Sequence, residues 1–402
     1  MSGEPKQTDS ATPPRKPIRI ESPSPRSAES YLKAEISTGA IRHNLGLLRR
    51  CLTPGTELCA VVKADCYGHG RDLLLDLIAS GADSLAVATP DEALDLRSKG
   101  YTGRILVFFS ACAYADGREL REAVAELIAR KVTLTVAQPE EIPAVAAAAS
   151  VVDQPAEVHV KIDSGMTRSG ILHDRAGEVI TPLLGEKRIR LTGVYTHFAT
   201  ADEPDKTFTL QQLERFQRAV DNAHCRDVTL HAANSAATID LPTTHLDMVR
   251  PGIAIYGYEP SDGLANHLPL QPSLRLTAKL MQVKNVPAGS RAGYGLSYEF
   301  EKPARVGLVP VGYGDGYLRC FSNRATMRVR GHDVPVRGRV AMDQTLVDLT
   351  AVPDARVGDE VEIISNQPNA PHSVIELAKL AETIPYEITC RLGKRVRRQL
   401  IE

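Results

Sequence analysis

Between Ile36 and Tyr258 the chain repeats one pattern: a short apolar run, a turn, then an amphipathic stretch. Eight runs read as strands: Leu58–Lys63, Ser84–Ala88, Ile105–Phe109, Val132–Val136, Glu157–Ile162, Gly193–His197, Val228–His231 and Ile253–Tyr256. Near-continuous Val, Ile, Leu and Ala suits strands buried on both faces, the condition of a parallel sheet. The intervening helical patterns include Thr38–Cys51, Asp91–Lys99, Gly117–Arg130, Pro139–Ala149 and Thr207–Asn222, several opening on cap or first-turn residues such as Thr38, Pro90-Asp91 and Pro139-Glu140. Eight strand-then-helix units over about two hundred residues predict a (β/α)8 TIM barrel. A doubly wound open sheet is the alternative, but no G-x-G-x-x-G segment supports it.

After Leu264 the texture changes. Leu274–Val286, Ala304–Val309, Thr326–Val329, His332–Val336, Gln344–Asp348 and Glu360–Ile363 read as short strands between Pro- and Gly-rich turns, with helix signal only at His372–Ala381. We therefore expect an α/β barrel over residues 31–265 followed by a mainly β domain over 266–402. Residues 1–30 are rich in Pro, Ser and charge, with no apolar segment of the kind a secretory signal needs, and are expected to form a disordered tail. A formal charge of −1 argues against a nucleic-acid partner, and no apolar run is long enough to cross a bilayer. Seven scattered cysteines without a C-x-x-C pair point to reduced thiols, hence a cytoplasmic setting and no metal site.

Barrels of this kind carry their chemistry at the C-terminal ends of the strands. Lys63 ends the first apolar run; Lys161, Asp163 and Arg168 lie at or after the fifth; His197 ends the sixth. His231, Asn234 and Ser235 follow the seventh, and Arg250, Gly252 and Ile253 border the eighth. So many cationic and basic groups on one rim would repel unless an anionic or electron-rich ligand lay among them. A lysine at a buried strand end tends to lose its proton, and its free amine can attack a carbonyl. Asn234-Ser235-Ala236 and Pro251-Gly252-Ile253 suit a phosphate: glycine lets backbone approach, serine offers a hydroxyl, and a helix would begin after Ser235. Two chemistries remain open on these grounds. One is pyridoxal phosphate on the lysine; the other is a phosphorylated sugar held by an aldolase lysine.

Longer motifs narrow the choice. They are VKADCYGHG at 62–70, KIDSGMTRSG at 161–170, THFA at 196–199, ANS at 233–235, RPGIAIYG at 250–257, GYG at 293–295, VGYGDGY at 311–317, AMDQ at 341–344 and IPYE at 384–387. In this order, from about Ala34 to Arg397, the chain resembles the alanine racemases, pyridoxal-phosphate enzymes built from a barrel and a β domain. The resemblance implies interconversion of L- and D-alanine, supplying D-alanine for peptidoglycan. It implies that Lys63 carries the cofactor and also serves the D-alanine hydrogen, while Tyr294 serves the L-alanine hydrogen on the opposite face. It implies that Arg250 faces the pyridine nitrogen, that His197 lies near the ring, and that Tyr67, Asn234, Ser235, Gly252, Ile253 and Tyr386 surround the cofactor, chiefly its phosphate. Arg168 would contact the ring hydroxyl and the substrate carboxylate, with Tyr313 and Met342 on the substrate side. Lys161 corresponds to a lysine often carbamylated in the family. Tyr294, Tyr313 and Met342 would come from a second copy, in a head-to-tail homodimer with shared sites. Cys66 and Ala341 depart from the common pattern, in which alanine and cysteine respectively are usual.

Overall fold

A computed structural model describes residues 31–110 and 117–402. The Pro/Ser-rich segment at 1–30 lies outside them. Among the described residues, eight parallel strands close a barrel: Glu57–Val61, Ser84–Val87, Arg104–Ser110, Thr133–Val136, Ala156–Asp163, Ile189–Tyr195, Thr229–His231 and Met248–Val249. The ring closes twice over: Leu134 faces Val158 between the fourth and fifth strands, and Met248 faces Glu57 between the last and the first. Leu58, Ala60, Leu85, Ala86, Ile105, Val158 and Val160 are fully or almost fully buried, as strands covered on both faces demand.

Most helices flank the strands where periodicity places them. Thr38–Cys51 and Thr207–Asn222 keep the expected bounds. Pro90–Ser98 opens on a capping box, with the Thr89 side chain on the Glu92 N–H and the Glu92 side chain reaching back to the Thr89 N–H. Arg71–Gly81 and Gly177–Gly185 are further helices that the sequence pattern did not single out.

Several strand assignments need correction. The sixth stave is Ile189–Tyr195, so His197 lies two residues beyond the strand it was expected to end, and Leu274–Val286 is two strands, Leu274–Lys279 and Gln282–Val286. Ile253–Tyr256 is a short 3₁₀ turn, and the eighth stave is the two-residue strand Met248–Val249 just before it. The four residues are buried on all sides, and an unbroken apolar run cannot tell strand from buried turn. Pro251, without an N–H, and Gly257, at φ 93°, bracket the turn. Lys63 also lies beyond the strand it was expected to end, since pairing stops at Val61.

The strand Leu32–Ser37 is not a stave. It pairs antiparallel with Leu274–Lys279 and parallel with Arg397–Ile401, inside a six-stranded sheet of the mainly β part. A three-stranded sheet of Gln282–Val286, Ala304–Val309 and Thr345–Asp348 and a two-stranded hairpin, Arg291–Ala292 with Tyr298–Glu299, complete its strands among the described residues. Helix signal there extends past Val374–Leu380 to a second helix, Pro385–Cys390. That helix packs on the turn after Lys63: a Cβ on Gly68 would lie 2.0 Å from the Thr389 carbonyl oxygen. The mainly β part thus reaches the barrel mouth directly.

Candidate active site

The turn that carries Lys63 has an unusual backbone. Ala64, Asp65, Cys66 and Tyr67 all have positive φ, between 50° and 55°, and Gly68 follows at 84°. Left-handed helix costs an L-residue about 1–2 kcal/mol, so four in a row mark a segment held in place by its surroundings. Glu92 supplies part of the hold. One carboxylate oxygen accepts from the Ala64 N–H at 2.6 Å; the other accepts from the Ala88 N–H at 2.9 Å. Asp65 accepts from the Arg71 N–H at 2.7 Å. The turn buries Tyr67, whose ring lies 5.2 Å from that of Tyr256 and 5.8 Å from that of Tyr386. Burial pushes the Tyr67 and Tyr386 phenols up, so both are protonated hydrogen-bond donors at neutral pH.

Opposite this turn sits a small cradle. The Ser235 hydroxyl accepts from the Gly252 N–H at 2.9 Å, and a Cβ on Gly252 would lie 2.2 Å from the Tyr67 hydroxyl oxygen. Only glycine fits there. Asn234 caps the short helix Ser235–Asp240 by accepting from Ala237, leaving the first-turn N–H groups of Ser235 and Ala236 without an intrahelical partner. Ile253 begins the adjoining 3₁₀ turn. Hydroxyls and free N–H groups around one glycine are the donor set an oxyanion needs.

Arg250 lies behind the cradle, buried in the barrel. It donates to the Thr196 carbonyl at 2.7 Å, the Ala232 carbonyl at 3.1 Å and His231 Nδ1 at 2.8 Å; His197 Nδ1 is 3.4 Å away. Among the described residues no carboxylate pairs with it. Burial lowers its pKa to about 10, which leaves it charged at neutral pH. Because arginine can only donate, His231 Nδ1 must be the acceptor and Nε2 must carry the hydrogen. Nε2 therefore donates to His159 Nδ1 at 2.8 Å. Both rings are neutral: burial holds His231 well below its ordinary value, and burial with Arg104 and Arg250 takes His159 to about 3. Tyr195 stacks on His231 at 4.8 Å, with the Arg250 guanidinium 5.3 Å and the Lys161 ammonium 5.7 Å from its ring centre. Arg250 keeps its Nε hydrogen and one Nη1 hydrogen uncommitted, and it can offer one to a neutral ring nitrogen.

The remaining cations share the mouth. Burial, then Arg168, lowers the Lys63 pKa. Burial, Arg168 and Arg250 bring Lys161 to about 8. His197 is held far below its usual value by burial and by all four cations, Arg250, Arg168, Lys161 and Lys63. Asp163 accepts from the Gly165 and Thr167 N–H groups at 2.9 and 3.1 Å, shaping the loop that presents Arg168. Arg168 itself is exposed and makes no side-chain hydrogen bond among the described residues.

Three expected site residues are exposed on the single chain. Tyr294, on the tip of the hairpin, is 73% exposed, Met342 54% and Tyr313 44%. Tyr294 makes no side-chain hydrogen bond or ring contact among the described residues. Tyr313 and Met342 do belong together: the Tyr313 N–H donates to the Ala341 carbonyl at 3.1 Å, and the Gly314 N–H to the Met342 carbonyl at 2.9 Å.

Sequence reasoning passed over His159, Tyr195 and Glu92. Glu92 had a signal, the Thr89-Pro90-Asp91-Glu92 capping box. His159 alternates with Val158 and Val160 on one strand, but nothing local announces its partner on another.

This fold and site define a barrel protein of the racemase type, with a partly desolvated lysine at its mouth and a buried arginine that has no carboxylate partner among the described residues. The alanine racemase N-terminal domain matches residues 36–260 and the alanine racemase C-terminal domain residues 273–400. The chain belongs to the alanine racemase family. The alanine racemase of Desulfovibrio desulfuricans is 40% identical over 373 residues, covering 92% of this chain and 98% of that protein. That of Methanococcus maripaludis is 36% identical, covering 91% and 97%. The solved alanine racemase from D-cycloserine-producing Streptomyces lavendulae is 36% identical and superposes with a TM-score of 0.86, covering 94% of this chain and 98% of that one. Among the described residues no helix is long and apolar enough to cross a membrane.

Proposed function

We propose that the chain interconverts L- and D-alanine with pyridoxal 5'-phosphate held on Lys63, and that Lys63 and Tyr294 move the proton on opposite faces of Cα. The observation that carries this reading is the presence, in one barrel, of a desolvated lysine and of a buried arginine that has donors to spare and no carboxylate partner among the described residues. When bound, the cofactor supplies an electron-withdrawing ring that makes the Cα hydrogen acidic. Tyr67, Ser235, Gly252, Ile253 and Tyr386, with the helix that Asn234 caps, would hold its phosphate. Arg250 would donate to the ring nitrogen without giving up its own proton, so the nitrogen stays neutral and electron withdrawal stays moderate. That restrains side reactions and favours returning the proton to Cα. His197, neutral, would lie against the ring beside Arg250, and Arg168 would bind the ring hydroxyl and the substrate carboxylate.

A single base would have to swing around a planar carbanion, so two bases on opposite faces are the simpler arrangement. Burial and Arg168 lower the Lys63 pKa, which suits its amine to proton transfer; by the family resemblance it would serve the D-alanine hydrogen and Tyr294 the L-alanine hydrogen. The exposure of Tyr294, Tyr313 and Met342 supports a head-to-tail homodimer in which each copy completes the other's site. Lys161, with its depressed pKa, is disposed to carbamylation, which would turn its repulsion of Arg168 into attraction. The product would feed peptidoglycan synthesis in the cytoplasm.

The test follows racemisation of L-alanine, and of L-serine beside it, by wild type and Lys63→Ala, with borohydride trapping of the lysine–cofactor bond. We expect wild type to prefer alanine and Lys63→Ala to lose at least about 10³-fold in rate with its melting curve kept. Undiminished racemisation or trapping in Lys63→Ala would refute the proposal.

A further inference from the structure

We propose that His69 is the positioning residue that locks the left-handed turn, and through it sets where Lys63 and Tyr67 stand. The inference rests on the function proposed above and extends it to a residue outside the cofactor and substrate shell. His69 is fully buried. Its Nδ1 lies 3.0 Å from both the Cys66 and the Tyr67 carbonyl oxygens, so Nδ1 carries the hydrogen and shares it between two acceptors. Those are the carbonyls of the last two non-glycine residues in the left-handed run.

The ring is itself anchored. It stacks on Tyr256 with centroids 4.5 Å apart and planes 21° from parallel. The Tyr256 hydroxyl donates to the Val61 carbonyl at 3.3 Å, at the end of the first stave. Val61 stands two residues before Lys63 and Tyr67 four residues after it, so the Tyr256–His69 pair ties both ends of the segment. Glu92 fastens the same segment from the other side through the Ala64 N–H. Without the Nδ1 donor, the Tyr67 carbonyl loses its partner, the Cys66 carbonyl keeps only the His69 backbone N–H at 3.1 Å, and the four left-handed residues lose a reason not to relax. His69 touches neither reacting atom. Its effect is transmitted as a displacement of the Lys63 amine and the Tyr67 hydroxyl, and about 1 Å of misplacement can cost on the order of 10²-fold in rate.

The two amide variants separate this from a packing role. Asn places its amide nitrogen near the position of Nδ1, and Gln places it near that of Nε2. The experiment uses the holoenzyme reconstituted with pyridoxal phosphate, and compares wild type, His69→Ala, His69→Asn and His69→Gln. It measures kcat per bound cofactor, cofactor Kd, and the isotope effect with L- and D-alanine deuterated at Cα. We expect His69→Ala and His69→Gln to lose about 10- to 100-fold in kcat per bound cofactor and to bind the cofactor more weakly, with His69→Asn within about 5-fold of wild type. Because Lys63 serves the D-alanine hydrogen, the isotope effect on D-alanine should rise above that on L-alanine in the impaired variants. Should the alanine variant not fold, the ratio of the Asn to the Gln variant decides alone. Unchanged kcat per bound cofactor in the Ala or Gln variant, or no advantage of Asn over Gln, overturns the proposal. A wild type that does not racemise alanine would instead overturn the functional reading beneath it.

Discussion

Arg250 is buried and Arg275 half-buried, and their partners differ in kind. Arg275, in the six-stranded sheet, is surrounded by carboxylates: Glu35 at 2.9 Å, Glu360 at 2.5 Å and Glu362 at 2.6 Å. Those carboxylates raise its pKa, and hydrogen bonds from His372 and Arg275 in turn hold the Glu362 carboxyl down at about 2. Arg250, in the barrel, has two carbonyls and a neutral imidazole instead. Burial without an anion lowers its pKa. In the six-stranded sheet, the charge of Arg275 is matched by carboxylates of the same sheet. The barrel mouth leaves Arg250, Arg168, Lys161 and Lys63 without full compensation, which is costly unless an anionic ligand completes the site.

That contrast can be broken by exchanging what each arginine loses. Arg250→Ala should lower racemisation by about 10²-fold or more, and it should also destabilise the fold by about 2–4 kcal/mol, because the Thr196 and Ala232 carbonyls and His231 Nδ1 are left buried without a donor. Steady-state rates and chemical denaturation of one sample report both effects. Undiminished turnover would remove Arg250 from the site. Arg275→Ala is the counterpart. It should cost about 2 kcal/mol in stability, since three carboxylates lose their common partner at a partly exposed position, and leave kcat per folded molecule unchanged. A change in kcat would mean that the two regions are coupled.

Acid should separate the regions by degree. His69 and His159 are held at about 4 and about 3 by burial, below the ordinary 6.5, and His231 and His197 are also held low. The unfolded chain takes up these protons near pH 6.5 and the folded chain does not, so stability falls as pH drops from about 6.5 toward 4. Glu362 runs in a lower window: its contribution is intact above 4.5 and is lost as pH falls toward 2. Melting temperatures should thus decline between pH 6.5 and 4.5 in wild type. The gap between wild type and Arg275→Ala should stay constant across that range and narrow only below it. A flat wild-type profile would contradict the neutral-histidine description.

Where local signals agreed, the sequence was enough. Thr38–Cys51 and Thr207–Asn222 have strong helical periodicity, and Ala304–Val309 and Thr326–Val329 are apolar runs bounded by turn residues, so their ends fell where the structure has them. The strand Arg397–Ile401 escaped notice because it is polar and takes its identity from pairing with Leu32–Ser37 at the other end of the chain. Gly177–Gly185 carries Pro182 inside the helix, which argues locally against one. At the site, the motifs marked Lys63, Arg168 and Arg250 individually. The left-handed run at Ala64–Tyr67 and the Arg250–His231–His159 chain could not be read in advance. The first places non-glycine residues in a conformation that residue type disfavours, and the second joins three different staves.

If each site is made by two copies, with Lys63 from one and Tyr294 from the other, mixing two inactive variants should restore activity. Lys63→Ala and Tyr294→Phe should each be nearly inactive alone. Dissociated, mixed in equal amounts and reassociated with pyridoxal phosphate, they should form hybrid dimers in which one of two sites has both residues, giving about a quarter of the wild-type rate per chain. Recovery near that level is expected of a shared site. No activity beyond the sum of the separate variants, in samples shown to contain hybrid dimers, would contradict it.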